Sequence, residues 1–563
     1  MTVGDTTTSP VDDLGNTYLE LAAAADPFFA TSFGLPGHDD RVQDVSAAAR
    51  AEFGRRTADL RDRAAALDPD ALDDTGRASR ALVVHDAGAA AEAVAARTTE
   101  WQLGGLVGPV STVLGVCPKV VLSDPRRAAD YAARCATLPG YLDASVAALR
   151  RGLADGLVTS RQGVRSAVGT IEGYLASPAS ADPLLAPLGA PAAAGVAAAV
   201  ETAVADGVRP ALARLRDMLR DELLPAALPD EACGVGNLPG GPEIYDRLVA
   251  RHTTTARTAA DLHETGLRLA EQLREEFREL GSRVLGTSDA DEVRRRLRED
   301  PAVRYGSAAE ILADAREAQR RAEEAVPDWF GRRHRIPCDI EPMNDAEAAT
   351  SALGYYQPPA GDGSRPGRCW LNTSAPGTRF RHETESLTFH ETVPGHHMQF
   401  AVARELGGLP AYRRFAYVTA YGEGWGLYTE RLADEMGLYS TDLARFGMVS
   451  FDAWRAARLV VDTGLHAFGW SRQRAIDYMV DHTALDRHAI VPEVDRYISM
   501  PGQALAYMTG RLEIVRLREH ARDALGAGFD LRGFHDTVLG SGSVPLSQLA
   551  DDVERWIAAP AAG

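Results

Sequence analysis

The sequence predicts a mainly α-helical protein with one small β-sheet placed just ahead of a histidine-rich stretch. Three observations carry this. Apolar residues recur at helical spacing over most of the chain; Leu262, Leu269, Leu273, Phe277 and Leu280 lie at steps of seven, four, four and three and form one apolar stripe. Extended-looking segments are confined to one region, 339–342 and 369–373. The composition, 45% apolar and 25% charged over 563 residues, is that of a globular chain with enough length to bury a large core.

In chain order, the first 35 residues read as a loose tail and a short helix over 18–25. Asp26-Pro27 ends that helix, because proline disfavours helical geometry in the residue before it. Helical patterning follows over 40–67 and 75–100. The stretch 104–115 is glycine-rich and apolar, but it lacks the G-x-G-x-x-G order and a preceding strand. It reads as a packed turn and not as a nucleotide loop. Helices are expected over 124–153 and 160–175, a surface loop over 177–191, and a helix over 192–224 interrupted at Gly207–Pro210 and stopped by Pro225 and Pro229. One long amphipathic helix or two cover 245–281, and 288–325 adds more. The texture changes near Pro327. A helical N-terminal part, 1–326, precedes a part, 327–563, that holds the sheet and the histidines, the two reading as one continuous body. A Pro/Gly/Asp-rich loop over 358–367 joins the extended pieces.

Lys+Arg number 60 against 79 Asp+Glu, a formal charge of -19, so the surface repels phosphate backbones and nucleic acid is not an expected partner. The cysteines, Cys117, Cys135, Cys233, Cys338 and Cys369, are scattered and without C-x-x-C spacing, which argues against a disulfide framework and a thiolate metal site. The N-terminal residues lack the basic and apolar regions of a secretory signal, and no apolar run approaches the roughly 20 residues needed to cross a bilayer. A cytoplasmic protein with no membrane partner is expected; the sequence carries no signal for oligomeric state.

The chemistry concentrates in His390-Glu391-Thr392-Val393-Pro394-Gly395-His396-His397, followed by Gly422-Glu423-Gly424-Trp425. A zinc hydrolase needs two imidazoles, a third ligand from elsewhere and a carboxylate beside the bound water. Histidines six or seven residues apart are separated by roughly 9–10.5 Å along a regular helix, too far for one ion. Pro394-Gly395 offers a local bulge or kink that would absorb the extra residues. His390, His396 and Glu423 are then the expected ligands of one Zn2+, with His397 as the alternative second histidine or a substrate-facing neighbour. Glu391 is the expected general base. Glu430, seven residues beyond Glu423, shares its helical face and is a candidate partner of a ligating histidine.

Further candidates follow. Arg458, Asp462 and His466, at steps of four, line either the site or a buried, self-satisfied stripe. Gln503 and Tyr507 are also four apart, and Tyr507, or His466, is a candidate donor to the oxyanion of a tetrahedral intermediate. Arg511, Tyr356 and Asn372 are candidate cleft residues, and an edge strand beside the zinc helix could hold a peptide by strand addition.

His390 to His397 resembles the signature of the bacterial domain-of-unknown-function family eight-eight-five. So do Gly354-Tyr355-Tyr356-Gln357-Pro358-Pro359, Gly422 to Trp425, Arg458 to His466 and Pro501 to Arg511, with weaker echoes in Phe33-Gly34 through Asp39 and in Leu262 to Gly266. The family is similar to glutamate-zincins of the oligopeptidase and carboxypeptidase kind. The resemblance implies a helical zincin-like body with a deep cleft, a histidine ligand after a glycine as His396 follows Gly395, and a glutamate ligand some two dozen residues on, as Glu423 is. The chain departs from those relatives in two extra residues before His396. A zinc-dependent peptidase of short peptides, carboxypeptidase-like, is therefore expected. The rivals are a metal-dependent hydrolase of a non-peptide amide and a non-catalytic binding protein that keeps the fold.

Overall fold

Helix after helix, several of them started by a side-chain cap, builds the first half of the computed structural model, which describes residues 9–344, 348, 353–359, 365–407 and 409–559. Ser9, Ser46, Asp73, Asp124 and Ser160 each accept from a free backbone N–H and open the helices Pro10–Ala25, Ala47–Ala65, Asp74–Ala95, Pro125–Ala154 and Arg161–Ala176. The first of these begins eight residues before the expected Tyr18, because Ser9 caps it and Pro10 fits its first turn. The glycine-rich stretch is a turn only as far as Gly108; Pro109–Val116 is helical. The expected interruption at Gly207–Pro210 is instead a π-helical segment, Ala203–Val208, that leads directly into Arg209–Met218. Pro210 has no N–H to continue a regular ladder, and a wider turn accommodates it.

The second half is organised by seven helices and three strands. We label them α1 (Ala259–Val284), α2 (Ala308–Trp329), β1 (Cys338–Pro342), β2 (Gly354–Gln357), β3 (Gly367–Leu371), α3 (Arg381–Glu391), α4 (His396–Glu405), α5 (Thr419–Glu435), α6 (Asp442–His466) and α7 (Ala506–Leu525). The patterning over 245–281 divides into Gly241–Thr253 and α1, with Thr254 at φ 52° between them. Pro327 lies inside the end of α2 and does not terminate it. α3 starts at Arg381.

β3 is the middle strand. It runs parallel to β1, with Cys369 opposite Ile340, and antiparallel to β2, with Cys369 opposite Tyr356. Gly367, Cys369 and Leu371 alternate as its buried face, and Cys369 and Leu371 pack with Ile340 against Ile311 and Ala315 of α2. The part of the 358–367 loop over 360–364 lies outside the described residues. All five cysteines are free thiols.

Two large cores hold the body, and each draws on residues from both sides of position 326. One joins Leu262, Leu273 and Phe277 of α1 to Phe446, Val449 and Ala456 of α6, with Phe277 and Phe446 stacked at 6.2 Å. The other joins Leu14, Leu60 and Leu82 to Trp425, Tyr428 and Ile514. α5 and α7 cross at bare backbone: a Cβ on Gly424 would stand 2.5 Å from the Cα of Gly510, and one on Gly510 would overlap the Ala420 carbonyl. Replacing Gly510 by Ala is expected to cost about 1–3 kcal/mol from overpacking. Urea unfolding checks it as a lowered midpoint at unchanged slope.

Candidate metal centre

α3 ends at Glu391, so His390 and Glu391 occupy its last two positions. Thr392 leaves helical geometry at φ -109°, ψ -111°, a cis Val393–Pro394 bond follows, and α4 starts at His396. The break is complete, where a bulge or kink in a continuing helix was the expectation. It keeps the chain so close to the end of α3 that a Cβ on Gly395 would overlap the carbonyl oxygens of His390 and Phe389. Only glycine fits that approach. The turn is held by the Thr392 carbonyl, which accepts from the N–H of His397 at 3.1 Å, and by the Pro394 carbonyl, which accepts from the indole of Trp425 at 3.0 Å.

The result is that the His390 and His396 rings meet edge to face, 4.7 Å between centroids. Glu423 of α5 reaches between them, with its Oε2 3.6 Å from the Nε2 of each. Ligand atoms of the three residues all lie within 4.8 Å of one another. Tetrahedral zinc with bonds of about 2.0–2.2 Å needs ligand atoms roughly 3.3–3.6 Å apart, so the donor set fits the ion in type, and the two Glu423–imidazole distances fit it in spacing.

The site is braced from behind. The Nδ1–H of His390 donates to Glu430 Oε1 at 2.8 Å, which leaves Nε2 as the metal-facing nitrogen. Glu430 is fully buried, and its second oxygen accepts from Ser386 at 3.1 Å. Glu423 and Glu430, seven residues apart on α5, therefore grip opposite nitrogens of one ring. A Cβ on Gly426 would come 2.6 Å from that ring, so this glycine lets His390 lie flat on α5. Burial opposes charging His390, but the hydrogen-bonded Glu423 and Glu430 outweigh it and push its pKa up to about 10. Burial likewise opposes ionising Glu423, and the two imidazoles outweigh it, holding the carboxyl well below the usual range. Both shifts express a site that favours positive charge among its ligands. Burial raises the carboxyl of Glu391, with His390 and His396 opposing the rise.

The remaining sequence candidates fall into two groups. Close to the ligands, Tyr507 of α7 lies under the guanidinium of Arg458 at 4.3 Å, and burial, then the charge of Glu423, raises its pKa. The others are engaged elsewhere. His397 is turned from the ligand group: its Nε2–H donates to the Ile336 carbonyl at 2.8 Å, and its Nδ1 accepts from Tyr356 at 3.0 Å. His396, not His397, thus completes the ligand trio. His466 has no proton to offer an oxyanion, because Nδ1 accepts from Val235 N–H and Nε2 donates to the Tyr497 carbonyl, both at 3.0 Å. Asp462 accepts from Tyr245 and from the Gly502 N–H, and Arg458 donates to Tyr497 and Glu493. That stripe is buried and bonded within the fold, except that Nη1 of Arg458 has no hydrogen-bond partner among the described residues. Gln503 accepts from Arg496, Arg511 donates to Asp452, and Asn372 caps its own turn through Ser374 while donating to the Ala348 carbonyl.

Two residues near the centre carried no signal in the sequence reading. Tyr417, on the loop entering α5, donates to Glu423 Oε1 at 3.0 Å and stacks on Phe400 at 5.9 Å. Arg455 of α6 is buried beside Phe451 and Trp454, with Nε and Nη1 lacking a hydrogen-bond partner among the described residues. The charges of Glu430, Tyr507 and Glu423 all act on it.

The geometry makes its own expectations. Elemental analysis of His390→Ala and Glu423→Ala should show zinc lost, while His397→Ala should keep zinc and melt at lower temperature. Glu430→Gln should weaken zinc binding by about 10–100-fold in a chelator competition.

The fold has close relatives of known structure. A candidate lipoprotein from Colwellia psychrerythraea matches with a TM-score of 0.90 at 25% identity, over 97% of this chain and 98% of its own. A candidate lipoprotein of unknown function from Shewanella oneidensis matches with a TM-score of 0.78 over 97% of this chain and 99% of its own; at 17% identity that likeness concerns the fold alone. No curated protein matches. Residues 27–553 match the family described as bacterial protein of unknown function (DUF885), and over that span, which includes every ligand of the candidate centre, the chain belongs to this family.

Proposed function

We propose that the protein is a zinc-dependent peptidase of the glutamate-zincin kind that hydrolyses short peptides from the carboxyl end. The observation that carries the reading is the junction of α3 and α4. It brings His390 and His396 to Glu423 and leaves Glu391, adjacent in sequence to the first ligand, under the charges of all three. A zinc ion held there supplies Lewis-acid polarisation and a water of lowered pKa.

Glu391 takes a proton from the attacking water and returns it to the departing amine as the C–N bond breaks. Burial moves its carboxyl up from the usual range, toward the working pH of a base that must also act as an acid. Glu430 holds His390 in the tautomer that presents Nε2. Tyr507 and Tyr417 are the phenols near Glu423, and either can donate to the carbonyl oxygen as it becomes anionic. The edge strand β2, linked to α4 through Tyr356 and His397, suits an extended peptide.

Glu391→Gln is expected to cut hydrolysis by about 10²–10⁴-fold while zinc stays bound. Unchanged hydrolysis would remove Glu391 from the base role. Digestion of a peptide mixture should release residues from the carboxyl end. Turnover of non-peptide amides alone favours the amide-hydrolase reading, and retained zinc without any turnover favours the binding protein. The word lipoprotein carried by both solved neighbours favours an envelope location over the cytoplasmic one expected from the N-terminal residues; cell fractionation distinguishes them.

A further inference from the structure

A cavity of about 160 Å³ lies one residue away from the metal ligands, and it is built almost entirely by the first half of the chain. Tyr18 of Pro10–Ala25, His85, Asp86, Ala89 and Ala90 of Asp74–Ala95, and Arg251 and His252 of Gly241–Thr253 form its walls, and Tyr417 and Thr419 close it. Tyr417 is shared between the two sites: its ring lines the cavity while its hydroxyl donates to Glu423 at 3.0 Å. Tyr417 is 39% exposed and is the residue common to the cavity and the centre.

The charges inside are arranged around one cation. Among the described residues Arg251 forms no ion pair, and the one near pair in the wall is His85 with Asp86 at 3.9 Å. A guanidinium offers a planar fork that matches a carboxylate. Burial holds the imidazoles neutral, His85 down to about 4 and His252 down to about 3, and raises Asp86 to about 7. Arg251 is thus the fixed charge, and Asp86, when protonated, is a donor beside it. Liquid water takes about 30 Å³ per molecule, so the space holds roughly five waters or one small terminal residue.

We propose that this cavity is the subsite for a free carboxylate of the peptide, received by Arg251 with Tyr18, the two histidines and Asp86 completing its polar wall. The ligand class rests on the peptidase reading; the cavity and its charge do not. The carboxylate could be the carboxyl terminus or an acidic side chain, and the experiment separates them. Zinc-loaded Glu391→Gln full-length protein is titrated calorimetrically with three probes: trialanine, trialanine amide, and Ala-Ala-Glu amide. Binding needs no turnover in this assay.

Trialanine is expected to bind about tenfold or more tighter than its amide, the scale of one charge-assisted contact. Arg251→Gln, and separately Ala90→Phe, which fills the cavity, should each abolish the difference, while Arg251→Lys should retain part of it. Circular dichroism melts check that the variants fold, and if one does not, the other decides. Tight binding of Ala-Ala-Glu amide would assign the side-chain carboxylate as the ligand. Equal affinity of acid and amide, or a preference that survives both Gln and Phe variants, would overturn the proposal. A preserved preference in protein that hydrolyses nothing would sink the peptidase reading and leave the cavity; hydrolysis without preference would do the reverse.

Discussion

Everything distinctive about this chain depends on bringing two histidines together across six residues. Along an unbroken helix their positions would be separated by about 9 Å of rise. The separation is removed by ending one helix and starting another, and Gly395 is the residue that permits it, since a Cβ there would overlap the carbonyls at the end of α3. Trp425 then binds the turn from α5, so the helix that carries Glu423 also holds the break in place. The third ligand and the geometry of the first two are one structural decision.

The halves of the chain divide the work unevenly. The C-terminal half supplies all three ligands and their braces. The N-terminal half supplies most of the cavity beside them, most of one core and a smaller share of the other. α6 joins the two: its 25 residues are buried almost throughout, and its polar stripe of Arg458, Asp462 and His466 bonds to Tyr245, Val235, Tyr497 and Glu493 from other elements, with Nη1 of Arg458 left without a hydrogen-bond partner among the described residues.

What was legible in the sequence followed from local rules. The helical class and the place of the sheet were readable, and so was the grouping of His390, His396 and Glu423, because a His-Glu pair, a Pro-Gly breaker and a later glutamate together follow the donor pattern of a metal site. Helix starts are harder to read where a cap lies outside the apolar pattern, as Ser9 does. Arg455 and Tyr417 were invisible for a different reason. Each sits in an ordinary local context and matters through neighbours on other helices. The choice between His396 and His397 turned on which ring the break points inward, a matter of tertiary geometry that spacing cannot decide.

The break has an electrostatic consequence as well. A helix accumulates roughly half a negative charge at its carboxyl end and half a positive charge at its amino end. α3 ends at Glu391 and α4 begins at His396, so the negative pole of one helix and the positive pole of the other both lie beside the ligand group, where they act in opposite senses. Glu423 and Glu430 add side-chain charges to His390 that substitution can tune one at a time.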